Sequence, residues 1–89
     1  MVPKLTKTNE VPLIVPLINL KGGEKGKITA IHGGRMVTQR LYDLGLTIGT
    51  ELRILGGAPF GGPIQILVRG SVLAIGHGIA TKIMVQCQT

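Results

Sequence analysis

Eighty-nine residues suffice for one domain and not for two, because a smaller core cannot bury enough surface to offset chain entropy. No run approaches the roughly 18 to 20 apolar residues of a membrane helix, and a single cysteine excludes an internal disulfide. The net charge of +6 attracts phosphates and acidic protein faces alike, but the ten Lys and Arg are dispersed, and aromatics at 2% leave few platforms for stacking bases.

Residues 1–10 are polar and lysine-bearing and read as a tail. Val11, Leu13, Ile14, Val15 and Leu17 are too apolar to stay in water, yet Pro12 and Pro16 each remove a ladder donor. Such a segment is confined to a sheet edge or an extended crossing strand. Two docking places stay open for residues 11–17: the chain's own barrel, or a neighbouring subunit in a homo-oligomer. Lys4 and Lys7 precede this stretch, but its prolines and the lack of a small-residue cleavage site argue against a secretory signal. With the lone Cys87, the expected compartment is a reducing cytoplasm.

Leu20 to Gly26 is a turn-rich approach, and Lys27 to His32 predicts a strand with Ile28 and Ala30 on one face and Thr29 and Ile31 on the other. After Gly33 and Gly34, Val37, Leu41 and Leu44 fall at i, i+4 and i+7, the stripe of a short helix. Gly45 ends it in a left-handed conformation, and Leu46 folds back onto Leu41 in a Schellman-type contact. Gly49 supplies a second bend. Leu41, Leu44, Gly45, Leu46 and Gly49 are therefore assigned to the structure of this corner.

Thr50 to Leu55 alternates, with Leu52 and Ile54 inward and Glu51 and Arg53 outward. Gly56 to Pro63 is a glycine-proline loop carrying Phe60. Ile64, Ile66 and Val68 alternate with Gln65, Leu67 and Arg69, and the Arg69-Gly70 turn returns the chain through Ser71 to Ile75 as a hairpin. Gly76-His77-Gly78 marks a corner, Ile79 to Lys82 gives at most one helical turn, and Ile83, Val85 and Cys87 form the last inward face. The prediction is a mainly β fold of five or six short strands with one short α-helix and a further helical turn. In so small a chain the sheet must curl into a small β-barrel to cover its core.

Taken in order, Pro16-Leu17-Ile18-Asn19-Leu20, Gly23-Glu24-Lys25-Gly26, Ile31-His32-Gly33-Gly34, Arg40-Leu41-Tyr42-Asp43-Leu44-Gly45-Leu46, Gly49-Thr50, Pro59-Phe60-Gly61-Gly62-Pro63, Val68-Arg69-Gly70 and Leu73-Ala74-Ile75 followed by Ala80 resemble the FeoA family. The resemblance covers about residues 16 to 87. It implies a Src-homology-3-like barrel and a cytosolic accessory protein of ferrous iron uptake, which acts by binding the GTPase region of the membrane permease FeoB. It also divides the chain into an N-terminal tail with an extra apolar segment, 1–15, and a barrel domain, 16–89. Two departures stand out. Gly76-His77-Gly78-Ile79 replaces a charged stretch of relatives, and Val11 to Val15 is additional.

The chemistry-bearing residues fit a binding module better than an enzyme. Glu10, Glu24 and Glu51 are scattered, Asp43 sits near a helix end, and no nucleophile has a base and a carboxylate at recognisable spacing. No small-molecule substrate and no resident cofactor are expected. His32, His77 and Cys87 lack CxxC or HxxxH spacing, so Fe(II) binding has no support from ligand spacing. A surface ferrous site from His32 and His77 requires the barrel to bring them together, and Cys87 reads as a small core residue.

For a protein partner the candidates are Arg40, Tyr42, Asp43, Phe60 and Arg69. Arg40 either lays its stem over apolar surface or meets an acidic face together with Arg35, Arg53 or Arg69. Phe60 is either an interface anchor or a cap on the core. Two alternative readings are a nucleic-acid-binding small barrel and a metal-sensing domain that acts through oligomerisation.

Overall fold

The computed structural model of the chain describes residues 13–56 and 61–88. Phe60, the tail at residues 1–10, and Val11 and Pro12 lie outside the described residues. The elements in order are β1 (Ile14–Pro16), a 3-10 turn (Leu17–Asn19), β2 (Lys25–Ile31), α1 (Arg35–Asp43), β3 (Glu51–Gly56), β4 (Ile64–Val68), β5 (Ser71–Ile75), α2 (His77–Ala80) and β6 (Ile83–Cys87). The six strands form one antiparallel sheet in the order β1-β6-β2-β3-β4-β5.

That sheet curls around a single aliphatic core. Inward side chains of β2 (Ile28), β3 (Leu52, Ile54), β4 (Ile64, Ile66, Val68), β5 (Ile75) and β6 (Ile83, Val85) are buried together. Leu17 and Leu20, from the 3-10 turn and the residue that follows it, join this core, and Leu41, Leu46 and Ala80 come from the helices and their exits. With almost no aromatics, a small barrel is the shape in which short branched side chains fill the interior from every wall.

The apolar segment ahead of the barrel docks on its own chain. β1 pairs with β6, Val15 opposite Val85, so it forms one edge of the sheet, where Pro16 is tolerated. The strand straddles residue 15, so Ile14 and Val15 belong to the same sheet as Pro16.

The helix exit follows the predicted cap. The Leu46 N–H donates to the Leu41 carbonyl at 2.8 Å and the Gly45 N–H to the Tyr42 carbonyl at 2.9 Å, the paired bonds of a Schellman motif. Gly45 has φ +90°, the left-handed conformation that makes this reversal cheap only for glycine. Leu44 departs from expectation. It is the C-cap residue and 48% exposed, because the reversal at Gly45 turns the chain before a third turn can bring it inward. Leu46 takes its place in the core, fully buried.

Beyond the cap the chain is stapled to β2. The Gly49 N–H donates to the Ile28 carbonyl at 2.7 Å and the Ile28 N–H to the Thr50 carbonyl at 2.9 Å. Thr50 is the buried polar residue of this corner, and its hydroxyl accepts the Thr47 N–H at 3.1 Å. A buried hydroxyl without such partners would cost about 1–3 kcal/mol.

β2 also differs from simple alternation. The register with β6 shifts between Ile28 and Ala30, so Thr29 is a bulge residue whose hydroxyl donates to the Met84 carbonyl at 3.2 Å. Ile31 consequently packs against the core rather than facing away with Thr29. The β4–β5 hairpin closes on Arg69 at φ +52° and Gly70 at φ +82°, a primed turn that matches strand twist.

Candidate functional site

The most unusual surface lies along α1. Val37 packs against the core and Leu41 is buried, which fixes the inward side of the helix. One residue round from that stripe stands Met36, 82% exposed, and one turn further Arg40. Across from them α2 contributes Ile79. Met36, Val37, Arg40, Leu41 and Ile79 line a hollow of about 370 Å³.

On the other side of the same ridge, Arg35, Met36, Gln39, Arg40 and Asp43 line a second hollow of about 390 Å³. Met36 and Arg40 thus form a crest between two depressions, the second of which is ringed by Arg35, Gln39 and Asp43. The crest is built by helical spacing, since i and i+4 side chains stand one above the other. Covering a Met side chain contributes about 1.5–3 kcal/mol, so leaving Met36 in water forgoes stability that a partner could recover.

The charges of this face are free to act outward. Asp43 is engaged by its helix neighbour, Gln39 Nε2 donating to Oδ1 at 3.0 Å. The guanidinium groups of Arg35 and Arg40 make no hydrogen bond or ion pair among the described residues. The first turn of α1 holds no acidic residue, so the positive end of the helix dipole adds to Arg35 rather than being offset.

The predicted partner residues separate in space. Arg40 and Asp43 share the second hollow. Tyr42 is 43% exposed and lines neither depression. Arg69 sits in the β4–β5 turn, where its Nη1 comes within 3.2 Å of the point a Cβ would occupy on Gly45, beside the end of α1. Met36 and Ile79 escaped the sequence reading. Met36 adjoins Val37 but lies off the i, i+4, i+7 spacing of the stripe, and Ile79 reads as part of a short turn. Only the exposure of one and the facing position of the other reveal them.

His32 follows β2, its backbone N–H donating to the Lys82 carbonyl at 2.7 Å, and His77 opens α2; both side chains are exposed. Among the described residues no group of three or more His, Cys, Asp and Glu side chains is placed to hold a metal ion. Cys87 is half-buried and packs against the core cluster.

Sheet order, the helix between β2 and β3, and the single turn before the last strand define a small Src-homology-3-like barrel. Residues 15–87 match the model of the FeoA domain, and the chain belongs to the FeoA family. It is 39% identical over 71 residues to a Methanocaldococcus jannaschii protein provisionally named Fe(2+) transport protein A, covering 80% of this chain and 84% of that one. Among solved structures, an iron uptake regulatory protein, FeoA, superimposes with a TM-score of 0.80 at 39% identity, covering 85% of this chain and 100% of the other. A FeoA-like protein from Clostridium acetobutylicum gives 0.77 at 29% identity, with 90% and 92% covered.

Proposed function

We propose that the protein is a non-enzymatic accessory component of ferrous iron uptake that binds the cytosolic GTPase region of a FeoB-type membrane permease through the outer side of α1. The observation that carries this reading is the Met36–Arg40 crest: an apolar side chain in water, flanked by two hollows and by the guanidinium groups of Arg35 and Arg40, which pair with no acidic group among the described residues. Membership of the FeoA family and the name given to the Methanocaldococcus jannaschii relative supply the iron-uptake context.

Such a face suits a partner that offers an acidic rim around an apolar knob. The knob enters the hollow between Met36 and Ile79, and the rim meets the arginines. Desolvated apolar contact supplies most of the affinity, while the charges set orientation and speed encounter. Arg69 and Tyr42 would lie at the periphery of the contact. No helix among the described residues is long and apolar enough to cross a membrane.

The test is retention of the purified permease GTPase region on this protein at low and high salt. Binding that weakens as salt rises supports the reading, because exposed charges are screened beyond about 8 Å at physiological ionic strength. No retention under either condition overturns it. Binding of RNA or DNA with a steep salt slope, and none of the GTPase region, would transfer the basic face to nucleic acid.

A further inference from the structure

The sheet has two edges, and they are built differently. β1 is three residues long and contains Pro16, both of which discourage a further strand. β5 reads Ser-Val-Leu-Ala-Ile, with no charge and no proline, and its ladder with β4 runs without a register shift. None of the usual devices that blunt an edge is present in it.

The backbone geometry of that edge follows from its turn. A two-residue hairpin loop makes Val68 and Ser71 a hydrogen-bonded pair, and alternation along an antiparallel ladder then assigns Ile66–Leu73 and Ile64–Ile75 to the same kind. Val72 and Ala74 are left with their N–H and C=O groups directed away from β4. β5 ends the sheet order, and neither residue makes another bond among the described residues. Both side chains are exposed, Val72 at 58%.

We propose that this edge is a self-pairing surface, on which a second copy of the chain adds its own β5 antiparallel to the first, about a two-fold axis at Leu73. With Leu73 facing Leu73, Val72 of each copy falls opposite Ala74 of the other. That pair exchanges both hydrogen bonds: the Val72 N–H donates to the Ala74 carbonyl of the second copy, and the Ala74 N–H of the second copy donates to the Val72 carbonyl. The alternation set by the hairpin permits this register, because the free groups of the two residues then meet each other.

The self-complementary register, not charge, makes a second copy the occupant: every free N–H and C=O of Val72 and Ala74 meets a partner in an identical strand. A molecule of net charge +6 repels its like, and β5 is a neutral strand along which two such molecules can still approach. An acidic partner would gain little there and more on the arginine side of α1. Paired β5 strands would join two barrels into one continuous sheet and cover Val72 with the Ala74 side chain of the other copy. The α1 crest belongs to a different element and takes no part in the pairing.

Sedimentation of the full chain over a wide concentration range, in low and high salt, tests this. A dimer is expected whose population rises with concentration and also with salt, the opposite salt response to that of the α1 face. Val72→Lys and Ala74→Lys place a charge on the free edge without touching the core, and each should raise the dimer dissociation constant about tenfold or more. Thermal unfolding verifies that both variants fold. An equal mixture of Val72→Cys and Ala74→Cys proteins, each also carrying Cys87→Ser, should oxidise preferentially to the mixed disulfide. A chain that stays monomeric at every concentration and salt overturns the proposal, as does a dimer unaffected by both lysines or one that crosslinks only 72 to 72.

Discussion

Gly45 and Arg69, from two different corners of the barrel, meet at the end of α1: a Cβ built on Gly45 would lie 3.2 Å from Nη1 of Arg69. The two residues also share an unusual backbone, φ +90° at Gly45 and φ +52° at Arg69. One is where the helix reverses, the other where the β4–β5 hairpin turns. A guanidinium held beside the last carbonyls of a helix is favourable, since the dipole leaves partial negative charge there.

Replacing Gly45 by Ala should destabilise the fold by about 1–2 kcal/mol, the cost of a left-handed conformation for a residue with a Cβ. Steric contact adds little, because the neighbour is the far end of a flexible side chain. Urea unfolding should show a lower midpoint at an unchanged slope. A Gly45→Ala protein as stable as the parent would mean that the reversal does not need its left-handed residue.

At Arg69 two terms oppose each other. Asn suits the first central position of a primed hairpin turn better than Arg, while the guanidinium beside the helix end contributes a few tenths of a kcal/mol that salt screens. Arg69→Asn should therefore be near neutral at low salt and stabilising by about 0.5 kcal/mol at high salt. Unfolding midpoints at two ionic strengths check it; a loss that grows with salt would contradict the assignment.

Adjacent glycines before α1 should respond with opposite sign. A Cβ on Gly33 would fall 2.5 Å from Cγ1 and 2.7 Å from Cβ of Val37, atoms fixed to the helix backbone, so α1 must shift. Gly33→Ala should cost about 1–3 kcal/mol, in the range of overpacking. Gly34 is the N-cap, has extended backbone and open space, and offers no side-chain cap. Gly34→Ser should add about 0.5 kcal/mol by capping an orphan N–H and restricting the unfolded chain. Thermal or urea unfolding of the two variants side by side is decisive, since a shared sign would refute the geometry.

Much of this frame is legible in the sequence because local rules fix it. The Leu41–Gly45–Leu46 cap, the Arg69-Gly70 hairpin and the alternation of Leu52 and Ile54 each depend on neighbours within a few residues. Leu44 misleads because a stripe counted along the chain ignores that the cap ends the helix at Asp43. Ile31 misleads because a bulge opposite β6 is a property of two strands, invisible in one. The α1 face is least legible, since Met36 gains meaning only when Ile79, 43 positions away in sequence, is seen to line the same hollow.

His32 and His77 give a further prediction. Both are exposed, and among the described residues no third ligand group joins them. Isothermal titration of Fe(II), or of Mn(II) in its place, should give indistinguishable heats for the parent and His77→Ala. A binding heat in the parent that His77→Ala removes would establish a metal site at this end of the barrel.

Met36 and Arg40 should contribute to the α1 contact in different ways, and kinetics can separate them. Met36→Ala removes apolar contact and should weaken binding of the permease GTPase region about five- to thirtyfold, mainly through faster dissociation, with its salt dependence unchanged. Arg40→Ala should cost a similar factor at low salt, but part of it through slower association, and it should flatten the salt dependence because a steering charge is lost. Arg40→Ala removes the apolar stem together with the charge, so Arg40→Gln, which retains much of the stem without the charge, keeps the two contributions apart. Surface plasmon resonance at two salt concentrations reads all four quantities. Parent-like rates for Met36→Ala and Arg40→Gln would remove the crest from the interface and leave Tyr42 and Arg69, on the far side of α1 and at the hairpin turn, as the residues to vary next.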